Sequence, residues 1–529
     1  MIYSGPTVAP IPELDLLSFL FDSSLTLAEE TTVIHAEASN PPNAITKALA
    51  RRLTRRIAHT LRTRFDIGEN GNGKDIVVVM SVGQIMLPIL FYGILAAGGV
   101  ASLASPSFKE DELARQMKHG SAKLCISCPA SQATLSSAAR LCGLSLDRCL
   151  VLDSSSQWRL RMLANPSAPN IVGESELDWE RITTRDELEN SVICLLYSSG
   201  PTGPPKGVKL SHTNMVAEAY ITGVRLREHW RSEGKWDYRT LAHLPTAHVA
   251  GVQGCFVIPF YNGGTTYWMP KFDFADFLAF NRSLAITTFF SVPPIFLLVT
   301  KSPLVKDHFH TLKAATSGAA PLAKGTTNQR SVTGGDVNIK DLSGSVGPLL
   351  PHCRLRIVDE SGNDCPLNTP GEVLVQGPIV TKGYYNNPEA NAEAFKDGYF
   401  CTGDIGFFQG DRLHIVDREK ELIQTKGLQV APAELEALLI SHPKILDAEV
   451  IGVYDEQECT EVPRAYVVPD KAVISAKDIQ AFVKSRLANY KQLRGGVEFV
   501  AAIPKSPSGK ILRKDLRVMA TAPKAVAKL

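Results

Sequence analysis

The run YSSGPTGPPKGVKLSH, residues 197–212, gathers hydroxyls, glycines and a lysine in a form suited to binding phosphate. Glycines let backbone N–H groups converge on phosphate oxygens, hydroxyls add donors, and a lysine adds charge. Ser198, Ser199, Gly200, Thr202, Gly203 and Lys206 are the candidate contacts. The pattern is not Walker A, because Gly207 and Val208 follow Lys206 where that motif needs Ser or Thr directly after Gly-Lys. A surface turn with an incidental lysine is the competing reading. Farther along, Asp404 is acceptor-only when ionised and suits both hydroxyls of a vicinal diol. Following Thr402-Gly403, it equally fits a turn. Arg418 offers a fixed fork of donors for ribose or phosphate, or a surface pair with Glu419 or Glu421. Lys510 lies in a tail with seven basic residues from Lys505 onward against one acid, Asp515. That tail reads as a solvated basic segment, or as one that sends a cation from its SGK turn into a cleft. His248 has the side chain of a catalytic group or of a satisfied core histidine.

These residues need elements to hold them. Strand-like apolar runs (VICLLYSSG, ITTFFSVPPI, LKAATSG) alternate with longer helical patterns through the first four hundred or so residues. Such alternation predicts an α/β architecture, mixed sheets flanked by helices. From about Arg354 the texture changes to short strands with turn signals, RLRIVDESGNDCP and GEVLVQGP, which predict a small β-rich subdomain. A boundary near Asp417-Arg418 divides the chain into a large domain, 1–417, and a small α+β domain, 418–529. The small domain reads as a helix (PAELEALLISHP), two strands (LDAEVIGVYD, PRAYVVP), a second helix (AKDIQAFVKSRLANY) and the basic tail.

Composition narrows the function. With 56 basic and 54 acidic side chains in 529 residues, no general field favours nucleic acid or anionic lipid. The amino terminus lacks a basic head followed by an apolar run, so no secretory signal is expected. Residues 76–108 carry no charge, yet Pro88 and Gly98-Gly99 interrupt them. A buried strand and a core helix explain that stretch better than an integral membrane segment. Cys125 and Cys128 form a CxxC inside KLCISC, a strand-like context that favours core packing over zinc or redox chemistry. The final Ala527-Lys528-Leu529 is a conservative variant of the Ser-Lys-Leu address. A peroxisomal import receptor is therefore an expected partner and the peroxisome the expected location, with the cytoplasm as the alternative.

Taken in order, these blocks resemble those of the acyl-adenylate-forming (AMP-binding) superfamily, close to 4-coumarate–CoA ligases and fungal acyl-CoA ligases. The 197–212 run is similar to that family's signature loop. LPTAHVAG puts His248 at the family's aromatic or histidine gate over the acyl pocket, whose residues near Val249 to Gly254 are small and apolar apart from Gln253. MPKFD puts Lys271 where 4-coumarate–CoA ligases contact CoA, and SGAAPL, with Ala319, matches a segment lining the acyl and adenine sites. GYYNNPEAN and GYFCTGDIG follow, the latter with Asp404 as the ribose carboxylate. VDREKELIQTKGLQV supplies Arg418 as second ribose contact, Lys420 at the hinge, and Lys426-Gly427. PKSPSGKILRK carries Lys510, similar to the catalytic lysine of adenylation. The resemblance implies ATP, Mg²⁺ and coenzyme A, a small carboxylic acid as substrate, and an acyl-adenylate passed to the CoA thiol. It implies catalytic roles for Lys510, His248 and Lys206, and closure of the small domain about Lys420.

The chain departs from that pattern in three places. Pro201 replaces a hydroxyl residue in the loop, removing two donors. Gln424 replaces a lysine in the hinge block. The aromatic-Gly-x-Thr-Glu block, which gives the family its Mg²⁺-ligating glutamate, is missing between Leu322 and Gly344, leaving the metal ligands unassigned. An exposed loop rich in Gly, Thr, Ser and Asn is expected there, with weak or absent adenylation. Two rivals remain: a luciferase-like adenylate oxidase, and an impaired nucleotide- or acyl-binding relative.

Overall fold

In the computed structural model, which describes residues 2–6, 10–154, 157–165, 167–198, 205–231, 237–317, 345–418, 421–425, 428–456, 460–470, 474–487, 489–505 and 511–521, the uncharged stretch becomes strand, helix and strand. Ile76–Met80 and Val100–Ala104 are parallel neighbours, and helix Met86–Ala96 crosses between them with every residue buried. An element buried on all faces needs no polar stripe, which is why this one lacks charge. Among the described residues no helix is long and apolar enough to cross a membrane.

These strands sit at the centre of a seven-stranded sheet. Its order is Lys206–Ser211, Val192–Ser198, Val100–Ala104, Ile76–Met80, Leu124–Ser127, Cys149–Asp153 and Arg159–Met162. The inner pairings are parallel and the two edge pairings antiparallel, so the sheet is mixed as expected. Helices Glu110–His119 and Gln132–Cys142 make further crossovers. A four-stranded sheet runs Arg239–Ala242, Thr265–Trp268, Val33–Glu37, Ala44–Thr46, and a parallel pair joins Thr288–Ser291 to Ala314–Ser317. The CxxC lies in the core: Cys125 and Cys128 are buried, and Cys149 is the cross-strand neighbour of Cys125. Burial pushes the Cys149 thiol up to about 12, so it stays protonated and is a poor metal ligand.

The expected β-rich subdomain is a six-stranded sheet built on Arg354–Val358, Gly371–Gln376, Tyr399–Gln409 and Arg412–Arg418. Its outer strand, Ile2–Ser4, comes from the amino terminus and pairs antiparallel with Arg354–Val358. Near the carboxyl end, Pro432–Ile440 is helical and Ile445–Asp455 pairs with Thr460–Pro469, matching the predicted helix and strands. The second predicted helix is shorter than its apolar pattern: Ala476–Lys484 forms it, and the chain then turns. A hairpin of Ile423–Thr425 with Leu428–Val430, strand Val497–Phe499 and helix Arg513–Thr521 complete this part. Ile423, Leu435, Leu439, Val450, Val467 and Ile479 form its own apolar core.

Candidate active site

Two of the phosphate-loop candidates, Ser198 and Lys206, stand at the mouth of a hairpin. Strand Val192–Ser198 returns as Lys206–Ser211, with Ser198 directly across from Lys206. The Ser198 hydroxyl donates to the Lys206 carbonyl at 3.4 Å. Lys206 is thus the first residue of the return strand rather than part of the loop, because KGVKLS can continue the ladder once the Pro204-Pro205 pair is passed. Its ammonium lies 5.1 Å from the ring centre of Tyr384, a cation–π contact with the GYYNNPEAN block. Val208 bridges Tyr384 through the backbone, and Tyr385 N–H donates to Gly207 O at 2.7 Å. Two blocks far apart in sequence are therefore fixed to each other beside the loop.

The diol candidates meet across a second ladder. Tyr399–Gln409 and Arg412–Arg418 are antiparallel, and the register sets Asp404 opposite Arg418. Directly opposed positions have Cβ atoms about 5 Å apart on one face of the sheet. Thr402 fixes the approach to Asp404: its hydroxyl donates to Val373 O at 2.7 Å and accepts from the Asp404 N–H at 3.0 Å.

His248 caps a short helix, Val249–Val252, with its Nδ1 accepting from the Ala250 N–H at 3.2 Å. That nitrogen therefore serves as an acceptor within the cap. The turn that carries it depends on Gly251, where a Cβ would come within 2.2 Å of Pro245 O. Farther along, a Cβ on Gly254 would meet nothing nearer than Phe290 Cβ at 4.0 Å, so space opens beside this residue. Lys271 is exposed, just before Asp273, whose carboxylate caps helix Phe274–Ser283.

One residue that sequence reasoning missed is His243, five positions before His248 in the same block. It is buried, with Nδ1 donating to Leu241 O at 2.8 Å and Nε2 accepting from the Ser291 hydroxyl at 3.0 Å. Burial holds its imidazole down to about 4, so it is neutral at pH 7. Ser291 ends the strand paired with Ala314–Ser317, so His243 braces the strands leading towards SGAAPL. Two histidines in one short apolar block were the available signal. Ser199, Gly200, Thr202, Gly203, Ala319, Lys420, Lys426, Gly427 and Lys510 lie outside the described residues, as does the 323–343 segment.

The AMP-binding enzyme family model matches residues 28–341 and 331–385, and the AMP-binding enzyme C-terminal domain model matches 434–510. An Emericella nidulans protein named as an acyl-coenzyme A synthetase is 47% identical, over 96% of both chains. A phenylacetyl-CoA ligase of Aspergillus niger is 33% identical over 98% of both. The crystal structure of ATP-bound MatB from Rhodopseudomonas palustris superposes with a TM-score of 0.81 at 25% identity, covering 97% of this chain and 99% of that one. The fold, the opposed Asp404 and Arg418, and these similarities agree: the chain belongs to the AMP-binding enzyme family.

Proposed function

We propose that this acid–thiol ligase works through the residues gathered above, with Asp404 and Arg418 holding the ribose of ATP. The register that sets these two positions opposite each other carries the reading. A carboxylate oxygen of the substrate attacks the α-phosphorus, the bond to the bridging oxygen breaks, and pyrophosphate leaves. Lys206 and the loop that it closes offset phosphate charge, and Lys510 neutralises the charge that grows between carboxylate and α-phosphate. The CoA thiolate then attacks the carbonyl carbon of the mixed anhydride, AMP leaves, and the thioester is released. Movement of the C-terminal part about Lys420 exchanges Lys510 for the face that admits CoA, and closure keeps water from the anhydride.

Mg²⁺ fits this reading as a partner of the nucleotide: such ions keep water and phosphate oxygens and take one or two protein carboxylates. Among the described residues no group of three or more His, Cys, Asp or Glu is arranged to hold a metal ion. The family match breaks into two pieces overlapping at 331–341, where the Thr-Glu block is missing, which supports slow adenylation. The open space at Gly254 suits an aromatic or medium aliphatic acid. The terminal Ala527-Lys528-Leu529 supports a peroxisomal site of action.

Asp404→Ala tests the site. Losing an acceptor for two charge-assisted hydrogen bonds should raise the KM for ATP on the order of tenfold to a hundredfold, with a smaller change in kcat. An unchanged KM for ATP would remove Asp404 from the nucleotide site.

A further inference from the structure

Two cations of the basic tail dock on acids that are partly or fully buried. Lys505 pairs with Asp447, and Arg513 meets the carboxyl groups of Glu421, Glu436 and Glu449. Asp447 and Glu449, two apart on strand Ile445–Asp455, point to the same face. Glu436 comes from helix Pro432–Ile440, where its Oε1 accepts from Arg513 Nη2 at 2.8 Å and from the Val450 N–H at 3.1 Å. Glu449 is fully buried. Glu421 follows the hinge residue Lys420 directly.

The docked cations flank the 506–510 segment. Lys505 and Ile511 form a backbone bridge, and Leu512 N–H donates to Pro504 O at 2.9 Å, so the two ends of the segment that includes Lys510 are held side by side. Only a planar fork of five donors can meet three carboxyl groups from three directions, which a lysine at 513 could not do. The helix beyond, Arg513–Thr521, has its own apolar anchor: Leu516 is buried with Ile451, Tyr466 and Ile503, and Tyr466 Oη donates to Leu516 O at 3.2 Å. The ionic cluster is therefore more than the helix needs to stay docked.

We propose that Arg513 is a positioning residue for adenylation, tying the chain that follows the 506–510 segment to Glu421, just past the hinge residue Lys420. The inference rests on the reading of Lys510 given above. Arg513→Met should depress acid-dependent ATP–pyrophosphate exchange tenfold or more, while thioester formation from a synthetic acyl-adenylate and CoA stays within about twofold. A merely structural role would lower both half-reactions together. Glu421→Gln, which keeps volume and all apolar anchors, should show the same split at smaller amplitude and serves if Arg513→Met folds poorly. Lys510→Ala, measured alongside, separates the two claims. If it abolishes exchange while Arg513→Met and Glu421→Gln leave exchange intact, or lower both half-reactions equally, the positioning role is wrong and the Lys510 assignment stands. If Lys510→Ala leaves exchange intact, the assignment fails and the positioning role falls with it.

Discussion

Acidification should destabilise the large domain through His243. The imidazole is buried between Leu241 and Ser291 and faces Phe277, with ring centres 5.0 Å apart. Both ring nitrogens are engaged by neutral partners, and among the described residues no carboxylate is paired with the ring to compensate a second proton. Its folded value of about 4 lies below the ordinary 6.5, so the unfolded chain binds the proton more tightly. Stability from this group is therefore complete above pH 6.5 and is lost as pH falls towards 4. Linkage between those two values gives a loss of about 2 kcal/mol at pH 5 and about 3 kcal/mol at pH 4. His35 and His212, both held down to about 3 by burial, act in the same direction. The comparison should therefore be between wild type and His243→Gln, whose amide keeps a neutral donor and acceptor. Denaturant unfolding at pH 7 and pH 5 gives each protein's acid loss, and the variant should lose about 2 kcal/mol less than wild type. Its stability at pH 7 is immaterial, since only the difference between the two pH values is read. Equal acid losses would show that His243 is not held neutral, and the brace from His243 to Ser291 would have to be abandoned.

Three further outcomes follow. Gly254→Leu fills the space opposite Phe290 and should raise KM for bulky aryl acids at least tenfold while sparing short ones; a uniform loss across acids would place that space outside the acyl site. Burial and the neighbouring Glu436 and Asp447 raise the Glu449 carboxyl well above its ordinary 4.5, with Lys505 opposing and Arg513 in contact. A raised acid stabilises below 4.5 and loses that contribution as pH rises, so Glu449→Gln should flatten the fall in melting temperature as pH is raised from 4.5; an unaltered slope would mean that the Glu449 carboxyl is not raised. An amino-terminal fluorescent fusion should appear in punctate organelles and become cytosolic when Ala527-Lys528-Leu529 is removed; a diffuse signal from the intact fusion would count against the peroxisomal address.

Local pattern made some of this legible and non-local pairing hid the rest. The uncharged 76–108 stretch announced a buried strand, helix and strand, because full burial removes the polar positions that mark an exposed face. Asp404 and Arg418 were readable as a pair only by resemblance; their opposition depends on a ladder register that neither segment encodes alone. Ile2–Ser4 is too short to carry a period, and its partner lies some 350 residues away. The basic tail looked solvated because charge counts along a chain ignore what lies across it. Asp447, Glu449, Glu436 and Glu421 come from three other segments, and only the fold brings them to Lys505 and Arg513. His243 escaped notice because a satisfied core histidine and a bystander look alike in sequence.

The most direct test of the central claim is to incubate the chain with Mg-ATP, CoA and a panel of aryl and aliphatic acids, and to measure AMP, pyrophosphate and acyl-CoA together. The account predicts all three in equal amounts with at least one acid, formed slowly, and faster after a family Thr-Glu block is grafted between Leu322 and Gly344. ATP binding without pyrophosphate release for any acid, with or without the graft, would contradict the ligase assignment, as would an oxygen-dependent product in place of the thioester. Rapid Mg²⁺-dependent turnover by the ungrafted chain would contradict the reading of the missing block.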